Sequence, residues 1–150
     1  GIEIMTTTKS FRGKISDGEI DQISLHTNNG LTGYKITKFK LLPIDSNETV
    51  EQAVKIYSVK QTTATEEIDF DDQTLLAAGI VHANADRDFV SPDAVIFDNM
   101  IVNQDVYVTS KAGSSARDVN YYFEMEKMSL SLDEQTVATL KDIRNNKVPS

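Results

Sequence analysis

The sequence predicts a mainly β fold: an antiparallel β-sandwich, jelly-roll-like, with one C-terminal α-helix over residues 132–146. Three observations predict it. Short runs rich in Val, Ile, Tyr, Phe and Thr recur along the chain, and such side chains suit a pleated, half-buried surface. Clusters of Gly, Asn, Asp, Ser and Pro separate the runs, as turns separate the strands of an all-β domain. Two of the runs alternate apolar and polar residues, which gives a strand one dry face and one wet one.

Eight runs are expected as strands, near 9–15, 20–27, 33–42, 53–61, 73–82, 94–98, 101–110 and 118–130. Between the second and third lies His26-Thr27-Asn28-Asn29-Gly30-Leu31, where Asn and Gly tolerate positive φ, so a hairpin is expected there. In the third run Tyr34 and Ile36 share one parity and Phe39 and Leu41 the other; a bulge near Thr37 would return both pairs to one face. Pro43 to Asn47 ends this run, because Pro cannot donate to a ladder and Asp-Ser-Asn competes for backbone hydrogen bonds. In the seventh run Val102, Val106 and Val108 face one side, with Asn103, Asp105 and Tyr107 opposite. In the eighth, Tyr121, Phe123 and Met125 oppose Tyr122, Glu124 and Glu126. Ser131-Leu132-Asp133-Glu134 matches a capping box. Leu132, Val137, Leu140 and Ile143 then form an apolar stripe, and the charges at both ends suit a helix dipole.

One domain over 1–150 is expected, since 150 residues bury a sizeable core without disulfides or metal. Residues 1–4, ahead of Met5, read as an added remnant or a processed end. No cationic, apolar leader is seen, and the apolar runs fall far short of the ~20 residues of a membrane-spanning helix, so no membrane partner is expected. There is no cysteine, which excludes disulfides and Cys-based zinc or redox sites. The net charge of −8 disfavours general nucleic-acid binding, which needs a basic stripe against phosphates. Ten carboxylates and one arginine between residues 64 and 106 hold −9 of that charge, leaving +1 elsewhere. Lys9, Arg12, Lys14, Lys35, Lys38 and Lys40 enrich the first forty residues in positive charge. That polarity suits head-to-tail contact between identical subunits, or simply solvated acidic loops.

Chemical motifs are sparse. Glu67-Ile68-Asp69-Phe70-Asp71-Asp72 could project alternate carboxylates from one strand face, and it resembles the E-x-D-x-E signature of sandwich-fold β-glucanases. The resemblance implies a nucleophile and an acid held close together. Here Asp71 stands at the acid position, and the chain has no Trp to stack sugars. Glu19-Ile20-Asp21 is a weaker echo. Asn84-Ala85-Asp86-Arg87-Asp88 starts like a calcium loop, but Phe89 replaces the turn glycine and Val95 the bidentate Glu; a surface loop ending at Ser91-Pro92 is the plainer reading. His26 and His82 are too few for a histidine metal site. Gly113-Ser114-Ser115 lacks the nucleophile-elbow frame and reads as a hairpin tip. Asn47-Glu48-Thr49 fits a glycosylation sequon, which with no secretory signal in view reads as coincidence. Tyr121-Tyr122-Phe123 suits core packing before an interface anchor. No phosphate-cradling glycine motif occurs. No catalytic, cofactor-binding or metal residues are therefore assigned, and no cofactor is expected.

Several strings resemble small virion-associated proteins of tailed bacteriophages, especially those of marine bacteria. They are Gly33-Tyr34-Lys35-Ile36-Thr37-Lys38-Phe39, Ala94-Val95-Ile96-Phe97-Asp98-Asn99, Asn103-Gln104-Asp105-Val106-Tyr107-Val108-Thr109 and Asn120-Tyr121-Tyr122-Phe123-Glu124-Met125-Glu126, with the segment Leu132 to Asn145. The resemblance implies a capsid, decoration or tail-associated role in a virion assembled in the bacterial cytoplasm. Its partners would be proteins: further copies of itself in a homo-oligomer, or another viral structural protein. The expected function is thus non-enzymatic assembly. A carbohydrate- or receptor-binding module is the alternative, and a small glycosidase using Glu67 and Asp71 the third reading.

Overall fold

The computed structural model describes residues 7–45, 48–84, 89–97 and 100–131. Eight strands run through them: β1 (Thr7–Ile15), β2 (Ile20–Ile23), β3 (Thr32–Pro43), β4 (Val50–Tyr57), β5 (Leu75–Asn84), β6 (Phe89–Ile96), β7 (Val106–Ser115) and β8 (Val119–Ser129). All ladders are antiparallel. One sheet has the order β1-β8-β3, the other β2-β7-β4-β5-β6. The helix expected over 132–146 lies outside the described residues.

Alternation along β8 sets the core. Val119, Tyr121, Phe123 and Met125 are buried, while Tyr122, Glu124 and Glu126 face outward. Phe123 stacks on Phe11 of β1 at 5.0 Å between ring centroids, an offset contact that suits the ring quadrupoles. Ile36, Phe39 and Leu41 from β3 join the same cluster, as do Val54 and Ile56 from β4, Val81 from β5, and Val106 and Val108 from β7. The cluster draws on both sheets, so their inner faces meet in a sandwich-like arrangement. Gln52 also points inward, and both ends of its amide are bonded: Nε2 donates to Ser110 Oγ at 2.6 Å, and Oε1 accepts from Arg117 N at 3.1 Å. That pairing is what makes a buried amide tolerable.

The bulge falls between Ile36 and Lys38, as the parity slip predicted. Without the extra residue Thr37, either the Tyr34 and Ile36 pair or the Phe39 and Leu41 pair would face water, because a one-residue slip turns a strand over.

Several expectations are corrected. The turn at 27–31 forms, with positive φ at Asn28, Asn29 and Gly30 and Thr32 N donating to Thr27 O at 2.9 Å. It does not close a hairpin. β2 pairs with β7 and β3 with β8, so residues 24–31 carry the chain from one sheet to the other, with Leu25 buried on the way. The seventh strand starts at Val106 rather than 101. Val102 makes an isolated bridge to Tyr34, and the Asp105 carboxylate accepts from Leu25 N and Gln22 Nε2, which ties the residue just before the strand to the end of β2. Gly113 to Ser115 is no hairpin tip but the end of β7. Ser91 and Pro92 do not end a loop; they lie within β6, an edge strand, where a proline's missing donor is tolerated.

Candidate functional site

Strand β4 is buried along almost its whole length. Val54 and Ile56 face the core, and the other face is covered by the chain itself. After β4, residues 58–74 fold back over the outer surface of the five-stranded sheet. Ile68, Phe97 and Tyr107 pack there against Tyr57, Leu75 and Ala78 in a second, smaller cluster. Lys55 pins this strap. The residue is 1% exposed, its ammonium donates to Thr65 Oγ1 at 2.8 Å and to the Glu67 carbonyl at 2.5 Å, and it lies 5.4 Å from the centre of the Tyr57 ring. Burial pulls the Lys55 ammonium below its ordinary pKa, opposed by the nearby charges of Glu67 and Asp72. Tyr57 is pushed up to about 12, by burial first and then by Asp72, Asp69 and Glu67.

The strap corrects the strand expected to begin at residue 73 and to be preceded by projecting carboxylates. Glu67 to Asp72 lie in a loop and turn, not on a strand. Asp69 Oδ1 accepts from Asp71 N at 2.9 Å, Asp72 N donates to Asp69 O at 3.1 Å, and Asp72 Oδ1 accepts from both Thr74 N and Thr74 Oγ1. Two of the carboxylates therefore shape their own turn, a local use that Asp favours wherever it is free of a ladder. Between them Phe70 stands 58% exposed, braced edge-on against Phe97 at 4.9 Å.

On the opposite side of the molecule, the outer face of the three-stranded sheet collects cations. The register sets Arg12 and Lys40 on either side of Tyr122, Lys14 and Leu42 on either side of Asn120, Lys38 beside Glu124 and Lys35 beside Glu126. Lys38 reaches Glu124 at 3.6 Å, and Lys14 reaches Asp118 at 3.8 Å. Arg12, Lys35 and Lys40 make no ion pair among the described residues. The Tyr122 hydroxyl donates to Glu124 Oε2 at 2.6 Å, which raises its pKa. Arg12, Lys40, Leu42, Asn120 and Tyr122 line a groove of about 490 Å³, and Leu42 at its side is 59% exposed.

At one end of the groove Tyr121 turns inward over Gly13. A β-carbon on Gly13 would sit 2.6 Å from the Tyr121 hydroxyl, so only glycine leaves room for the ring. That hydroxyl donates to Asp21 Oδ2 at 3.1 Å, joining the two sheets. Burial raises the pKa of Asp21, an effect the Tyr121 bond opposes and the neighbouring Glu19 adds to. Tyr121 is raised as well, by burial and then by Asp21. A second crevice, of about 520 Å³, is lined by Ser58, Lys60, Asn103 and Asp105, but the Asp105 carboxylate is committed to Gln22 and Leu25.

The remaining sequence candidates are dispersed. His26 is exposed and contributes its carbonyl to the Tyr34 hydroxyl at 2.8 Å. His82 is exposed on β5. Glu19 Oε1 accepts from Ser16 N, and Glu48 pairs with Arg117 at 2.9 Å. Residues 85–88 of the calcium-like string and Asn47 of the sequon lie outside the described residues. Among the described residues, no three His, Asp or Glu side chains come together as metal ligands do. Tyr121-Tyr122-Phe123 divides, two rings inward and Tyr122 outward. Sequence reasoning missed Lys55 and the groove. A lysine inside the apolar run Ala53-Val54-Lys55-Ile56-Tyr57, followed by an acidic segment, was the available signal for the first. The groove had none, since its residues come from three separated strands.

No protein-family model and no curated protein matches the chain.

Proposed function

We propose that this chain is a non-enzymatic structural protein of a bacteriophage virion, a jelly-roll sandwich that acts through protein–protein assembly. The observation that carries the reading is the nesting of its strand pairs. β1 lies with β8, β2 with β7 and β4 with β5, while β3 and β6 approach each other at the third place in the series. A chain doubled into one long antiparallel hairpin and then rolled into two sheets has this order. The jelly-roll arrangement, found widely in capsid proteins, is built on such nesting, and the strand pairs support that reading. The ladder of β6 runs to β5 rather than β3, so the roll is open along that edge. The resemblance of several strings to virion-associated proteins of marine tailed phages supports the same reading, as does the separation of a cationic sheet face from an acidic strap.

A fold hosts many functions, so the test is made on the particle. Mass spectrometry of purified infectious virions of the phage that encodes the chain is expected to recover it as a repeated component that stays with the particle through density-gradient banding. Its absence from such particles overturns the proposal.

A further inference from the structure

Leu42 and Phe70 are the two most exposed large apolar side chains among the described residues, at 59% and 58%. They stand in opposite electrostatic surroundings. Leu42 borders the groove between Arg12 and Lys40, over Tyr122, on a sheet face with five cations (Arg12, Lys14, Lys35, Lys38 and Lys40) and two carboxylates, Glu124 and Glu126. Phe70 projects from a turn flanked by Asp69, Asp71 and Asp72, with Glu66 and Glu67 just before it. The turn is held by its own hydrogen bonds and by Phe97, so little ordering remains to oppose binding. Groove and tip lie over the outer faces of different sheets, and one copy cannot fill its own groove.

We propose that copies of this chain join head to tail, the Asp69–Asp72 tip of one seated in the Arg12–Lys40 groove of the next, with Phe70 against Leu42 and Tyr122. This rests on the assembly reading above and names its surfaces. Asp69 and Asp71 of the tip meet Arg12 and Lys40, which lack an intramolecular ion partner among the described residues. Complementary charge sets the approach and the register, and the aromatic tip supplies the desolvated centre that interfaces of this kind need. Because the two surfaces differ, the contact is heterologous and repeats into a ring or a filament.

The test uses the full chain in sedimentation and light scattering at low and high salt. The wild type is expected to self-associate at low salt and to dissociate as salt screens the contact. A groove variant, R12A/K40A, and a tip variant, D69N/F70S/D71N, which keeps an oxygen at residue 69 for the turn, are each expected to weaken association about tenfold or more. Mixed, they form a dimer that stops at two copies, since only one intact groove and one intact tip remain. As a check independent of folding in the variants, carbodiimide treatment of mixed isotope-labelled and unlabelled wild type is expected to link Lys40 of one copy to Asp69 or Asp71 of another. A wild type that stays monomeric at low salt overturns the inference, including when its groove binds a carboxylated oligosaccharide instead. A wild type that assembles without these cross-links, or whose variants assemble unchanged, also overturns it, while the virion reading, decided on particles, stands.

Discussion

Replacing Lys55 with Met keeps the hydrocarbon stem in its slot and removes only the ammonium, which makes it the cleanest probe of the strap. The structure supplies the terms. Two charge-assisted hydrogen bonds are lost, to Thr65 Oγ1 and to the Glu67 carbonyl, each contributing about 1.5–3 kcal/mol, together with a cation–π contact to Tyr57 of roughly 1 kcal/mol. Against this, the variant no longer buries a cation, a relief of several kcal/mol whose presence is marked by the lowered pKa of Lys55. Thr65 and Glu67 are exposed, so their released acceptors turn to water and no buried charge is orphaned. The balance is a loss of about 2 kcal/mol, concentrated in residues 58–74 rather than spread over the core. Hydrogen exchange read by mass spectrometry tests it at the amides of Ser58, Asp72 and Leu75, which bond to Thr74 O, Asp69 O and Asp72 O. Peptides covering the strap should exchange about thirty-fold faster, at tenfold per 1.4 kcal/mol, with β8 peptides unchanged. Unaltered strap exchange, or a variant more stable than the wild type, would refute the reasoning and make the ammonium a net liability where it lies.

Two further outcomes follow from the same geometry. Gly13→Ala drives a β-carbon into the Tyr121 ring, and overpacking of this kind costs about 1–3 kcal/mol; urea unfolding should show it, and an unchanged midpoint would mean that the ring moves aside freely. On the alkaline side, Tyr57 is raised to about 12, and burial raises Tyr34 and Tyr121 as well. A phenol whose folded pKa exceeds its unfolded value of about 10 contributes stability that is fully present below pH 10 and lost as pH rises through the folded value. Lys55, lowered on folding, has the opposite sign, but the tyrosines outnumber it. Urea midpoints should therefore fall steadily between about pH 10 and 12, and a flat profile would contradict the burial of these rings.

What could be read in the residues was what lies within a few positions of each other. The alternation of Tyr121, Phe123 and Met125 against Tyr122, Glu124 and Glu126 assigned the two faces of β8 because side chains on a strand alternate by geometry. The parity slip between Ile36 and Phe39 located the bulge for the same reason. The acidic string at 67–72 misled, because alternating carboxylates are equally compatible with a strand face and with a turn in which Asp caps its own backbone. The hairpin at 26–31 misled in another way: the turn chemistry was correct, but a turn does not specify which sheet the next strand enters.

The sequence by itself determined eight strands in order, the inward faces of β3, β7 and β8, the bulge at Thr37, the absence of cysteine chemistry and the uneven distribution of charge. All of these depend on local spacing and composition. Tertiary structure alone decided that β2 pairs with β7 and β3 with β8, that Lys55 is buried beneath a strap, and that Arg12, Lys40 and Tyr122 share one groove. The groove joins Arg12 to Tyr122 from opposite ends of the described chain, and the Ser16 and Asp118 side chains likewise hydrogen-bond at 2.7 Å across 102 positions. The strand pairings and the groove arise from the mutual burial of distant strands, and no window along the chain contains both partners; the partners of Lys55 lie within a dozen positions, but only the folded sheet decides that the segment turns back over it.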